Sequence, residues 1–214
     1  MEIVEILFPV IATKTIPADH GYQLFAALSR IVPQIHDDNR IGICPITGRL
    51  VAERRLTLTP QSRLRLRTDA SLVPTYVSLA GRQIRLGDAI MSIGVPFVQA
   101  LMPADVLRSR LVVIKIKDVP SAADLSPELF QRAARRQLES LGIRSDVGLT
   151  VGKRRTLRIR QREIVGYELT VRGLGAEESL ALQSYGMGGR RHMGCGVFVP
   201  VRQRGAGNEP SRTL

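Results

Sequence analysis

Hydrophobic periodicity switches between two and 3.6 residues in the same order twice along this chain, and that repetition limits the fold more than any other feature. Residues 2–13, EIVEILFPVIAT, are rich in β-branched side chains and predict a strand. Asp19 can cap a helix running to about Val32, with Leu24, Leu28, Ile31 and Ile35 at helical spacing and Pro33 ending it. Strands follow near 41–45 or 55–59 and at 63–67, where Leu64 and Leu66 alternate with Arg63, Arg65 and Arg67. A short helix from Leu72 to Ala80, closed by Gly81, precedes an extended apolar stretch from Ile84 to Val98. The second half repeats the order. Arg110–Lys117 predicts a strand, and Ser126-Pro127-Glu128 opens a helix that Gly142 stops. Thr156–Arg160 and Glu163–Arg172 read as a hairpin, Glu177 to Tyr185 as a helix, and Gly196–Val201 as a closing strand. Each half is therefore β-α-β-β-α-β. The expectation is an α+β fold of two tandem ferredoxin-like (βαββαβ, RRM-like) units, residues 1–104 and 105–204, with a flexible tail at 205–214.

Charge narrows the partner. The 214 residues carry a formal net charge of +12, and 27 of the 31 basic residues are arginine. Guanidinium forks bind phosphates bidentately and stack on bases, which favours nucleic acid over generic solubility. Residues 151–204 hold 11 basic and 4 acidic side chains, against 11 and 8 in residues 1–104, so the polyanion is expected mainly on the second half. No apolar run approaches the roughly 18 residues of a membrane span, and the N-terminal MEIVEILF is acidic where a signal peptide is basic. Cys44 and Cys195 form no C-x-x-C, and His20, His36 and His192 have no metal-ligand spacing. No metal, no other cofactor, no membrane and a cytoplasmic location are the expectations.

Two segments concentrate the signal. In Tyr185–Pro200, YGMGGRRHMGCGVFVP, Gly186, Gly188, Gly189, Gly194 and Gly196 lie between a helix and a strand. Such glycines can turn backbone N–H groups toward an anion, with Arg190, Arg191 and His192 adding charge; the alternative is a flexible hairpin without a ligand. The loop is not a P-loop, because no G-K-[ST] ends it and its helix comes before the glycines. Lys153, Arg154, Arg155, Arg158 and Arg160 place five cations in eight residues without an acid, which fits phosphate contact better than a solvated strand edge.

The stretch GMGGRRHMGCGVFVP resembles the C-terminal glycine-rich loop of the CRISPR-associated endoribonucleases that process repeat RNA, in their short myxobacterial-type, class 1 subtype. ADHGYQLFAALSRIVPQIHDDNRIGICPITG is similar to the family's first helix and following loop, and SRLRLR and LAGRQIRLG fall at its next strand and turn. The resemblance implies metal-independent cleavage of precursor CRISPR RNA within each repeat. The ribose 2′-OH would attack the adjacent phosphate and leave a 2′,3′-cyclic phosphate and a free 5′-OH. It also implies that the product hairpin stays bound and that other subunits of a class 1 interference complex are partners. With aromatics at only 4% of residues, stacking platforms for splayed bases are few, and a repeat hairpin read through phosphates fits better.

In that family an essential histidine lies in or just after the first helix. His36, in QIHDD, takes this place, with Asp37 and Asp38 beside it as carboxylate partners for a proton donor. His20 opens the helix, where the dipole favours a neutral imidazole, or it serves local packing. Tyr22 and Tyr185 could supplement the histidine, although Tyr22 also suits the core, and Arg40 could neutralise the scissile phosphate. His192 is expected on phosphate. Two other readings share these residues: a non-catalytic repeat-RNA-binding subunit with an idle His36, and a basic ribosomal-type scaffold protein. If the 153–160 cluster holds phosphates, each charge-removing substitution there should flatten the log–log salt dependence of hairpin affinity by about 0.7–0.9, read by titration at several salt concentrations.

Overall fold

The computed structural model of the protein describes residues 2–38, 40–116 and 125–201. In the first half, β1 (Ile3–Ala12), β2 (Ile16–Pro17), α1 (Gly21–Ile31), α2 (Gln34–Asp37) and β3 (Gly42–Cys44) come first. They are followed by β4 (Arg49–Val51), β5 (Arg55–Thr57), β6 (Arg63–Asp69), α3 (Val73–Val77), β7 (Gln83–Leu86), β8 (Ala89–Ile93) and β9 (Phe97–Ala100). β1 is the central strand of an antiparallel sheet ordered β3-β6-β1-β8-β7. Its residues Val4–Leu7 also pair with β9, while Val10–Ala12 pair with β8. Residues 4–8 of β1 are all buried, because both of its faces are covered. Leu24 and Leu28 of α1 pack on this sheet with Ile6, Phe8, Leu64 and Leu66. A small second sheet, β2-β5-β4, stands beside it.

The second half contains β10 (Val106–Val112), α4 (Pro127–Ser140), β11 (Gly148–Ile159), β12 (Arg162–Arg172), α5 (Ala176–Tyr185) and β13 (Val199–Pro200). Its sheet is ordered β11-β12-β10-β13. Both sheets thus place their strands in the same spatial sequence, second-third-first-fourth, which is the ferredoxin-like arrangement expected from the element order. Ser126 caps α4 by accepting from Leu129 N–H at 3.2 Å, and Phe130, Ala134 and Leu138 form its buried face. No described helix is long and apolar enough to cross a membrane.

Several expected boundaries move. Both candidate second strands exist, but 42–44 joins the main sheet and 55–57 the small one. The stretch 84–98 is not continuous: Gly87 takes a positive φ of 65° in the β7–β8 turn, and 94–96 sends the chain on to β9. The strand expected at Arg110–Lys117 begins at Val106 and ends at Val112, while Lys117 and the tail at 205–214 lie outside the described residues. β11 starts at Gly148, eight residues before the expected Thr156. Asp19 does not cap α1; its carboxylate accepts from Arg158 N–H of β11 at 3.0 Å and ties the helix start to the other half.

The two halves are locked by charge. Glu5 on β1 is buried and accepts from Arg65 (2.8 Å) and from Arg67 Nε (3.0 Å), both on β6. Arg67 is only 1% exposed, and its Nη1 reaches across to the carbonyls of Gln183 (3.0 Å), in the last turn of α5, and of Phe198. Helix ends leave carbonyls without partners, and a cation there also matches the dipole. Removing one partner of a buried pair leaves an uncompensated charge. Glu5→Ala should therefore lower unfolding free energy by about 3–5 kcal/mol, measured by urea denaturation.

Candidate functional site

The glycine-rich loop begins where α5 stops. Its N–H groups do not face solvent as an anion cradle: Gly186 donates to Leu182 O (3.0 Å), Gly188 to Gln137 Oε1 (2.8 Å) and Gly189 to Val113 O (3.0 Å). Gly194 donates to Arg191 O (3.1 Å) and Gly196 to Leu111 O (2.7 Å). These amides are engaged within the protein instead: Gly188, Gly189 and Gly196 anchor the loop to α4, to the segment after β10 and to β10, Gly186 closes α5, and Gly194 closes a turn of the loop itself. Glycine is required by close approach. A Cβ at Gly196, where φ is +63°, would stand 1.8 Å from Met187 O. One at Gly21 would stand 2.3 Å from Met193 O, so the loop presses directly on the first turn of α1.

The loop's charged residues divide. Arg190 is exposed at a left-handed φ of 65° and remains available to a phosphate. Arg191 turns inward instead, where its Nη2 donates to Ser184 O at 2.7 Å. Burial, then the nearby Arg67 cation, push its guanidinium down to about 10, still charged at neutral pH. Arg191 is thus a latch between the loop and the end of α5. Cys195 is buried, and burial pushes its thiol up to about 12, far from a nucleophile.

The three histidines have separate fates. His20 is 1% exposed, and both ring nitrogens are engaged. Nε2 accepts from Ile46 N–H at 3.0 Å, so Nδ1 carries the proton that bonds to Pro17 O at 2.8 Å. Burial lowers its pKa and keeps it neutral. With no free nitrogen and no access, His20 is a structural bracket, which removes it as an acid–base candidate. His36, on α2, is exposed and stacks on Phe25 of α1, with centroids 5.8 Å apart and rings inclined by 23°. His192 meets the same Phe25 at 4.5 Å and 48°. It sits in a 3₁₀ turn, Arg191–Met193, and its pKa is lowered by burial, then by Arg190 and His36.

Asp38 does not turn to His36. Its Oδ1 accepts from Arg40 N–H (2.8 Å) and Ile41 N–H (3.1 Å), and its Oδ2 accepts from the Tyr76 hydroxyl (2.7 Å). This fixes the backbone that follows α2 and leaves Arg40 on the exposed side.

A basic groove runs between the start of α1, the β4–β5 turn and the β11–β12 hairpin. Two adjoining hollows of about 680 and 770 Å³ share Arg54, Thr156 and Glu163 in their walls. Arg154, Thr156 and Arg158 line it at a spacing of two, one face of β11, and Arg160 joins them from the β11–β12 turn at a φ of 54°. Arg155 also lines it, with Nη2 3.2 Å from Glu168 Oε2. Lys153 is exposed outside these walls. Tyr22 faces the groove, where Arg160 Nε donates to its hydroxyl at 3.3 Å. Tyr185, the last residue of α5, is 55% exposed. Sequence reasoning missed Arg54 and Arg110. Arg54 takes a φ of 54° in the β4–β5 turn, and Arg110 on β10 stands exposed in the groove wall, its pKa lowered by partial desolvation there and then by Arg155. Neither carries a local signal, since only the docking of the two halves brings them together.

The Cas6 family model, described as Cas6 Crispr, matches residues 4–203. The CRISPR-associated endonuclease Cas6 of Myxococcus xanthus (strain DK1622) is 38% identical over 200 residues, which cover 94% of this chain and 82% of that protein. A solved structure of a Cas6-related gene product from Pyrococcus furiosus matches with a TM-score of 0.68 at 16% identity, over 94% of this chain and all of that one. An RAMP protein binding different RNA substrates matches at 0.67 and 18% identity, over 93% of this chain and all of that one. These two structures share the fold. With the family match running from β1 through the glycine-rich loop to β13, the chain belongs to the Cas6 family.

Proposed function

We propose that the protein is an endoribonuclease that cleaves CRISPR repeat RNA without a metal, through 2′-OH attack, and keeps the product hairpin. Its first unit, residues 1–104, supplies the histidine, and its second, 105–204, supplies the loop and most of the cationic wall. Arg54, Arg154, Arg158 and Arg160 in the groove hold stem phosphates, and Arg190 and Arg40 extend the positive surface. At the scissile linkage the 2′-OH loses its proton and attacks phosphorus; the P–O5′ bond breaks and His36 protonates the departing oxygen. The products are a 2′,3′-cyclic phosphate and a 5′-OH. The reading further places the protein in the cytoplasm, with other subunits of a class 1 interference complex as partners.

The observation that carries this reading is the contrast between two histidines, one at the start of α1 and one on α2. His20 is sealed by two hydrogen bonds, whereas His36 is exposed beside the glycine-rich loop. The 38% identical relative, named an endonuclease, supports cleavage over a purely binding role.

His36→Ala should reduce cleavage of repeat RNA in EDTA by roughly 10²–10⁴-fold, the range for general acid–base catalysis, while hairpin affinity changes little. His20→Asn should act differently, lowering thermal stability first. A substrate with 2′-deoxyribose on the 5′ side of the scissile phosphate should bind and stay intact. Cleavage of that substrate, followed on a denaturing gel, would exclude internal 2′-OH attack.

A further inference from the structure

We propose that His192 is a second catalytic residue, the base that takes the 2′-OH proton while His36 serves the leaving oxygen, both imidazoles being held on the ring of Phe25. This rests on the cleavage reading above and assigns the half of the proton transfer that His36 leaves open.

The geometry carries it. Phe25 projects from α1 and contacts both rings, at 4.5 Å for His192 and 5.8 Å for His36, which gathers both imidazoles around one side chain, near enough for His36 to act electrostatically on His192. They arrive from different halves of the chain, one on α2 and the other on the glycine-rich loop. The backbone that carries His192 is fixed, and Phe25 packs against the imidazole ring. Its turn is closed by Met193 N–H to Arg190 O (2.9 Å) and Gly194 N–H to Arg191 O (3.1 Å), and the flanking Arg191 is latched to Ser184 O. A fixed backbone with a ring packed on an aromatic neighbour suits proton transfer, which demands position, more than charge attraction, which does not.

The surroundings favour a proton acceptor. His192 is partly buried, and the charged or titratable groups acting on it are Arg190 from its own loop and His36 from α2, while α1 presents the apolar Phe25. Burial and a neighbouring cation both favour the neutral imidazole. The step balances: the 2′-OH proton passes to His192, the 2′-oxygen forms a bond to phosphorus, the P–O5′ bond breaks, and the proton on His36 goes to O5′. The protein then holds a protonated His192 and a neutral His36, and exchange with water resets both.

The test compares wild type, His36→Ala, His192→Gln and His192→Lys on repeat RNA and on the same RNA with sulfur in place of the scissile 5′-oxygen. A sulfur leaving group needs no acid but still needs a base. His192→Gln should lose roughly 10²–10⁴-fold on both substrates with hairpin affinity kept, whereas the loss in His36→Ala should shrink on the sulfur substrate. In wild type the rate should rise with pH through the lowered pKa of His192, and that limb should vanish in His192→Gln. Wild-type rates in His192→Lys would make the residue a phosphate-binding cation and overturn the proposal. Rescue of His192→Gln by sulfur would make it the acid and overturn it equally. If wild type cleaves neither RNA, the cleavage reading itself falls, and this inference with it.

Discussion

The guanidinium of Arg67 joins parts of the protein that share no hydrogen-bonded sheet. It lies between Glu5 on the first sheet and two carbonyls of the second half, one at the end of α5 and one just before β13. A buried pair of this kind seldom adds net stability over an apolar packing, but it fixes geometry, because every donor must meet its acceptor. α5 sets where the glycine-rich loop starts, and the loop sets where it meets α1. Gly21 at that contact has no room for a side chain. The position of one cation therefore propagates to the pairing of His36 and His192 around Phe25.

The arginines of this chain do two kinds of work that composition cannot separate. Arg67 and Arg191 turn inward, where each donates to backbone carbonyls and Arg67 also to the Glu5 carboxylate. Arg54, Arg154, Arg158 and Arg160 line an open groove. All contribute equally to the net charge of +12, yet only the second group can meet a polyanion. The sequence does hint at the division: Arg63, Arg65 and Arg67 alternate with leucines on a strand, a pattern that suits a face packed against another element.

Element order was legible because it is written in local periodicity, and so were the helices whose apolar faces recur at 3.6 residues, such as Phe130, Ala134 and Leu138. Boundaries slipped where the third dimension decides. β11 starts eight residues early because β12 supplies partners for a segment whose short alternation, Leu149 and Val151, is flanked by the strand-weakening Gly148 and Gly152. Asp19 reads as a helix cap but finds a stronger claim on Arg158 N–H, 139 residues away. His36 could be singled out from its place after α1, whereas the engagement of His20 with Ile46 and the meeting of Phe25 with His192 are long-range facts. The glycines were recognisable as a loop. That their amides serve carbonyls of the protein follows only from how tightly the loop docks.

That docking bears on the thermodynamics of association. A glycine-rich segment free in solution would surrender about 1–2 kcal/mol of backbone entropy per residue on being ordered by a ligand. Here the amides of Gly186, Gly188, Gly189, Gly194 and Gly196 are already bonded before any RNA arrives. The ordering penalty was met during folding, so a strand arriving at this loop would meet a surface already in shape. On the proposed reading the loop is thus a preorganised mould, selecting RNA whose backbone already follows its contour over RNA that must be bent to it.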